Sequence, residues 1–523
     1  MPARALHQAL LQPSFYPHQP ATVGFRETHV SRLYFAGNYV YKVKKPVAFG
    51  FLDFTTLSRR AFFCREELRL NQRFAPDTYL RVAKIRHDAG GFNLDGRGET
   101  VEYAVVMRLL PEERLLPQLL AKNDAALPRL MVELARRLAE LHRQSLICRD
   151  GGRHLARVQR NWAENFSQTR HLVGVTLDAA TLAWCEAFVR DFCTRRQPLF
   201  RQREEAGKVR DGHGDLHAEH ICCTEPLRIF DCIEFNRRFR QSDIVADIAF
   251  LLMDLDFRGR SDLAILLRDE WCRQLAEDPG TIAPLLGFFQ LYRAFVRGKV
   301  DSFLAEDPAA PAATRAAAAT DARRYFALAL GYLAPPALFL TCGLMGVGKS
   351  TLARRLAAAC RGRQLRSDVV RKELAGVDAT TAVHEDFATG LYAPQHDRAT
   401  YARLLDLART ELAAGKSVVV DAAFARRADR DAFRQLAASL HRPCVLLHLR
   451  CDAATLRARL DQRQARGDDP SDGRRALLTA QRRSFAPPAV EEGALQLDTS
   501  LAAPDHVEFV LGHLLHHHGF LRQ

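Results

Sequence analysis

Large apolar and polar residues alternate through Ser31–Ala36 and again through Tyr39–Lys44, on either side of Gly37-Asn38, a pair suited to a two-residue hairpin turn. The pattern predicts two paired strands. A helix-like stretch follows over Leu57–Phe74, then strands over Leu80–Arg86 and Val101–Met107. Beyond residue 125 the pattern is mainly helical, so a small strand-rich lobe precedes a larger helical one. From residue 337 the pattern alternates: strand Ala337–Thr341, helix from Lys349, strand Ser417–Asp421, helix 427–440, strand Cys444–Leu449, helix 453–466. Alternation of this kind predicts a parallel sheet covered by helices. Residues 305–336 run from a Pro/Ala-rich entry through an alanine-rich helix to Pro335-Pro336, where proline stops the helix. The expected division is a domain over 1–305, a helical linker over 306–335 and a second domain over 336–523.

Composition narrows the class without choosing a function. With 47% hydrophobic and 26% charged residues in 523, the chain is neither disordered nor fibrous. No apolar run reaches the length of a spanning helix, and the first residues lack the charged start and apolar run of a secretory leader, so the expected location is cytoplasmic and no membrane partner is expected. Twelve cysteines without paired CxxC spacing read as small buried apolar residues. The net charge of +14 admits a polyanion partner, but no block of like charge concentrates it.

The strongest chemical signal is Gly343-Leu-Met-Gly-Val-Gly-Lys-Ser350, which matches GxxxxGK[ST] in full, after the apolar strand ALFLT and before the helical run STLARRLAAAC. Glycines at 343, 346 and 348 let successive N–H groups turn inward, and the following helix, entered through Ser350 and Thr351, adds the positive end of its dipole. Lys349 is expected to reach the β- and γ-phosphates and Ser350 to ligate Mg²⁺. Asp368 stands as a candidate to orient or deprotonate an acceptor hydroxyl, with Arg371 and Lys372 one turn on to hold an anionic substrate; the alternative is a helix-capping aspartate. Asp421, closing the strand VVVD, is a candidate metal ligand. Arg459, Arg463 and Arg466 share a helical face before a Gly/Asp-rich loop, the arrangement of a closing lid, with Arg463 the candidate catalytic arginine.

The first domain holds a second constellation. Asp215 lies in the loop HGDLHAEHI and Asp231, in LRIFDCIEF, at the end of the next apolar strand, so one carboxylate can accept an alcohol proton while the other holds Mg²⁺ on nucleotide phosphates. Upstream, Lys42 sits in the strand VYKVKK and Glu67 on the helix CREELRLNQRF, and a lysine fixed by a helix glutamate can hold α- and β-phosphates. Lys44 and Lys45 compete with Lys42 for that place, and Lys42 is preferred because its apolar neighbours Tyr41 and Val43 fit a buried strand. His213 and His217 read as structural side chains, and the C-terminal His513–His518 run as the tip of an amphipathic helix.

The second domain resembles the small-molecule kinase branch of the P-loop proteins, near gluconate kinase, polynucleotide kinase and zeta-toxin-like enzymes. The first resembles the aminoglycoside/choline phosphotransferase family, whose fold is protein-kinase-like and whose loop HGDxxxxN is matched through His213-Gly214-Asp215. The resemblance implies that Asp215 is the catalytic base, Asp231 the metal ligand and Asp247 the scaffold of the catalytic loop. The chain departs from the family at its metal-binding Asn, which is His220 here, and in having no glycine-rich loop before Lys42. The domain order resembles a bacterial fused family of bifunctional phosphotransferase/ATP-binding proteins. The resemblance implies an ATP- and Mg²⁺-dependent kinase with two nucleotide sites, acting on hydroxyls of small molecules. Two alternatives stand beside it: a first domain that only binds ligand and regulates the second, and a kinase of nucleic-acid ends or nucleotide sugars.

Overall fold

The computed structural model describes residues 3–50, 52–149, 151–378, 381, 389–466, 477–500 and 506–520. In it the early alternation becomes part of a six-stranded antiparallel sheet. The strands are β1 (Val23–Glu27), β2 (Ser31–Ala36), β3 (Tyr39–Lys44), β4 (Tyr79–Asp88), β5 (Gly91–Leu94) and β6 (Glu99–Arg108), in the spatial order β1-β2-β3-β6-β4-β5. Strands β2 and β3 pair Ala36 with Tyr39 across Gly37-Asn38, the register that a two-residue turn imposes. Because side chains alternate between faces, Tyr41 and Val43 join Tyr34, Ile85 and Val106 in one core. Val40, Val105 and Met107 pack on the other face against Cys64 of helix α1 (Leu57–Asn71). That helix begins where the Thr56 hydroxyl accepts the Arg59 N–H, a side-chain N-cap. Lys42 and Lys44 therefore share the face that looks toward α1.

The chain divides into two compact units, one of residues 1–159, 196–255 and 260–289, the other of residues 160–195, 256–259 and 290–523. The second unit is built on five strands, β7 (Leu338–Cys342), β8 (Arg363–Arg366), β9 (Val418–Asp421), β10 (Cys444–Arg450) and β11 (Leu495–Asp498), in the order β8-β9-β7-β10-β11, and every pair is parallel. Strand β7 is central and buried along its whole length, as a strand covered on both faces must be. The alanine-rich segment forms helix α2 (Ala312–Leu333), whose last nine residues are all buried within this unit. There Gly331 meets helix α3 (Lys349–Ala359) so closely that a Cβ would lie 1.8 Å from the Ala359 carbonyl oxygen. No helix among the described residues is long and apolar enough to cross a membrane.

Candidate functional site

In the first unit, β3 and α1 bring two lysines onto one glutamate. Lys42 Nζ lies 2.8 Å from Glu67 Oε1, and Lys44 Nζ lies 2.6 Å from Glu67 Oε2. Lys42 also reaches Asp231 Oδ1 at 2.6 Å, and Lys44 pairs with Glu234. Burial presses the Lys42 ammonium toward neutrality, but Asp231 and Glu67 outweigh it and hold the pKa well above the ordinary lysine value. Burial likewise opposes ionisation of Glu67, and Lys42 and Lys44 overcome it, leaving its pKa below the usual range. Two cations and three carboxylates thus form one charged cluster, and Lys42 is the member that faces Asp231. Lys45, on the other face, pairs with Glu27 at 2.8 Å, and Glu66 with Arg69 at 2.7 Å, outside the cluster.

Asp231 follows the short strand Arg228–Ile229 with a φ of +61°, a left-handed conformation that an aspartate tolerates better than most residues. Its N–H donates to the Tyr79 hydroxyl at 3.0 Å, and the next N–H, of Cys232, donates to Asn71 Oδ1 at the end of α1 at 2.8 Å. The loop carrying Asp215 is held by Asp247, whose carboxylate accepts the N–H groups of His213 at 2.6 Å and Gly214 at 2.8 Å. Burial raises the Asp247 pKa, but the His142 hydrogen bond and charge, with His213, bring it down to about 2. Gly214 has a φ of +83°, and a Cβ there would lie 3.0 Å from the Arg240 Cα, so glycine is needed at this turn.

Around Asp215 the neighbours are imidazoles. His217 Nε2 and His220 Nδ1 each lie 3.7 Å from Asp215 Oδ2, and His220 Nε2 lies 3.6 Å from Asp231 Oδ2. Burial opposes ionisation of Asp215, yet His217, His220 and His213 hold its pKa far below the carboxylate range. His213 faces the other way: Nε2 donates to the Phe230 carbonyl at 2.9 Å, Nδ1 accepts the Asp215 N–H at 3.2 Å, and burial brings its pKa down to about 4. Mg²⁺ takes oxygen ligands. Asp231 offers oxygen but is faced by an imidazole, so the donor set here does not fit Mg²⁺.

In the second unit the phosphate loop leaves the end of β7 between β9 and β10. Gly343, Gly346 and Gly348 have φ of +145°, +79° and +90°, the conformations that curl the main chain inward. Lys349 opens α3, and its Nζ donates to the Leu344 carbonyl at 2.8 Å. Ser350 follows, with its hydroxyl hydrogen-bonded to Asp421; Thr351, next on α3, is exposed. Burial raises the Asp421 pKa, opposed by Lys349 and Ser350. Gln364 donates to Asp421 Oδ2 at 3.1 Å, which fixes the carboxylate beside the loop. A hydroxyl and a carboxylate oxygen fit Mg²⁺ here.

Other expected residues are engaged elsewhere. Asp368, on helix α4 (Ser367–Leu374), accepts from Arg371 at 3.2 Å; Arg371 also pairs with Asp397 at 2.6 Å. Lys372 is buried and donates to the Thr381 carbonyl at 2.8 Å. Arg371 and Lys372 are therefore framework groups, not a ready anion clamp. Arg459, on helix α5 (Ala453–Arg466), donates to Thr499 Oγ1 at 3.0 Å and to the Thr499 carbonyl at 2.6 Å. Arg463 and Arg466 fall on the same helix, with side chains outside the described residues, as is the Gly/Asp-rich loop after it. One contact had no signal in the sequence: the Met345 N–H of the phosphate loop donates to Gln481 Oε1, on helix α6 (Leu478–Ser484), at 2.8 Å.

Comparison with known proteins adds family to this geometry. The profile of the phosphotransferase enzyme family matches residues 34–285, and that of an AAA domain matches residues 338–488. Uncharacterized proteins of Mycobacterium tuberculosis and Mycobacterium bovis are 33% identical over 467 residues, which is 88% of this chain and 89% of theirs. Among solved structures, the GDP complex of aminoglycoside 2'-phosphotransferase-IIIa is 15% identical, covering 62% of this chain and 98% of its own, with a TM-score of 0.37. A gluconokinase from Sinorhizobium meliloti 1021 is 20% identical, covering 35% of this chain and 93% of its own, with a TM-score of 0.25.

Proposed function

The chain belongs to the family of the mycobacterial proteins and carries a phosphotransferase enzyme family domain ahead of an AAA domain, and from that premise we propose that this kinase uses ATP at two separate sites to phosphorylate hydroxyl groups of small molecules. The observation that carries the reading is the same pairing in two unrelated folds. Each unit sets a lysine beside a carboxylate just past a strand, Lys42 with Asp231 and Lys349 with Asp421.

In the second unit, the inward N–H groups of the Gly343–Ser350 loop and the start of α3 bind the triphosphate, and Lys349 exchanges the Leu344 carbonyl for phosphate oxygens. Ser350 and Asp421 would hold Mg²⁺, which supplies neutralising charge to the phosphates. In the first unit, Lys42 is held by Glu67 for the α- and β-phosphates. Asp215, kept ionised by its imidazole neighbours, accepts the alcohol proton as the oxygen attacks the γ-phosphorus and the bond from that phosphorus to the β–γ bridging oxygen breaks, releasing ADP.

A second reading is favoured by His217 and His220: the first unit binds ligand without transferring phosphate, and only the second turns over ATP. Separate Lys349→Ala and Asp215→Asn variants distinguish the two. Two active sites predict that each variant loses about 10²–10⁴-fold of one activity and keeps the other. If Asp215→Asn leaves every acceptor phosphorylation intact, the second reading holds; if neither variant lowers turnover, the kinase sites lie elsewhere.

A further inference from the structure

The loop that carries Asp215 brings more nitrogen to one point than a magnesium site uses. One donor atom from each of Asp215, His217 and His220 lies within 4.8 Å of the other two. A carbonyl oxygen only accepts, so the 2.8 Å contact between His220 Nδ1 and the Asp215 carbonyl fixes the proton on Nδ1. Nε2 is then the lone-pair nitrogen, 3.6 Å from Asp231 Oδ2. This is how metal-binding imidazoles are oriented elsewhere: the far nitrogen donates to a carbonyl and the near one is left basic.

The spacing suits an ion. Donors at about 2.0–2.1 Å around a tetrahedral centre are about 3.3 Å apart. The gap between His217 Nε2 and Asp215 Oδ2, 3.7 Å, needs a shift of only a few tenths of an ångström, and Asp231 Oδ2 lies beside the group, 3.6 Å from His220 Nε2. The loop is also fixed from behind, since Asp247 holds His213 and Gly214, and Asp254 accepts the Ala218 N–H at 2.9 Å. Lys42 takes Asp231 Oδ1, while Oδ2 faces His220. Both carboxylates open to solvent, Asp215 being 37% and Asp231 38% exposed, whereas the imidazoles are nearly enclosed.

We propose that Asp215, His217 and His220, with Asp231 alongside, form a binding site for a divalent transition ion of the zinc and cobalt class, one that accepts imidazole nitrogen, in place of a Mg²⁺ site. Two imidazoles and a carboxylate match the softness of such an ion, which oxygen-only ligands do not. An ion held there also draws on the carboxylate proposed to take the alcohol proton, so its occupancy sets whether the first unit can transfer phosphate. The site itself stands on side chains of the first unit alone and does not depend on that transfer.

The test is a titration of the chelator-stripped full-length chain with CoCl₂ in the absence of nucleotide, followed by the visible absorption of bound Co²⁺. His516, His517 and His518 are replaced by alanine throughout, so that the terminal histidines do not report. The expected result is one equivalent of Co²⁺ displaced by ZnCl₂ but not by a 100-fold excess of MgCl₂, with affinity at least about tenfold weaker in His217→Gln and in His220→Asn. Absence of the Co²⁺ spectrum, displacement by Mg²⁺ at that excess, or unchanged affinity in both variants overturns the proposal. The competition in the parent protein, with Asp215, His217 and His220 intact, decides it even if a variant fails to fold. Because no nucleotide is present, a negative result leaves the two-site kinase reading untouched.

Discussion

The two proposed phosphate sites are built from different materials. In the second, the groups proposed to face phosphate are mostly main-chain N–H groups of one octapeptide, curled by three glycines and backed by a helix start. In the first, they are side chains from separate stretches of chain: Lys42 on a strand, Glu67 on a helix, Asp215 in a loop and Asp231 beyond a short hairpin. A backbone cradle depends on local conformation and tolerates change around it. A side-chain constellation depends on whatever holds each piece, and Asp247 is the main such support.

That difference can be broken at one residue. Asp247→Ala removes the acceptor for two buried N–H groups and the partner of His142, so we expect about 3–5 kcal/mol loss of first-unit stability and loss of Asp215-dependent transfer. Nucleotide binding at the Lys349 loop stays as it was. Denaturant unfolding and site-specific turnover check both halves, and a variant that keeps Asp215-dependent transfer would remove the contrast. A smaller effect sharpens it through buried charge. Lys42 and Lys44 are matched by carboxylates, whereas Lys299 of the second unit is held by neutral oxygens, Asn165 Oδ1 at 2.6 Å and Gln168 Oε1 at 2.8 Å, and burial brings its pKa down to about 8. Below pH 8 both folded and unfolded states keep this proton and its burial cost is present in full; between pH 8 and the ordinary value of 10.5 the folded state releases it first. Second-unit stability should therefore rise from this group by about 1–3 kcal/mol over that window. Unfolding midpoints at pH 7.5 and 9.5 measure it, and Lys299→Met should flatten the slope.

The same contrast decides what was legible in the sequence. The phosphate loop could be read because its chemistry is contiguous, and the hairpin around Gly37-Asn38 because alternation and turn coincide. Strands β8 and β11 escaped notice because RQLR and LQLD are four residues long and lie at the sheet edges. Among three lysines in one short stretch the sequence favoured Lys42 by its apolar neighbours, but not the sharing that depends on which face α1 covers: Lys42 and Lys44 share Glu67, and only Lys42 reaches Asp231. Arg371 and Arg459 looked like substrate and lid arginines from helical spacing alone, which says nothing of Asp397 or Thr499 waiting across the fold. The imidazole cluster was visible as letters, but its meaning rests on which nitrogen each ring presents.

The central claim is that two independent nucleotide sites exist in one chain. Equilibrium binding of a non-hydrolysable ATP analogue to the full-length protein tests it most directly, with Lys349→Ala and Lys42→Ala alongside. The account predicts two equivalents for the wild type and one for each variant. A single equivalent in the wild type, abolished by one variant and unaffected by the other, would contradict it.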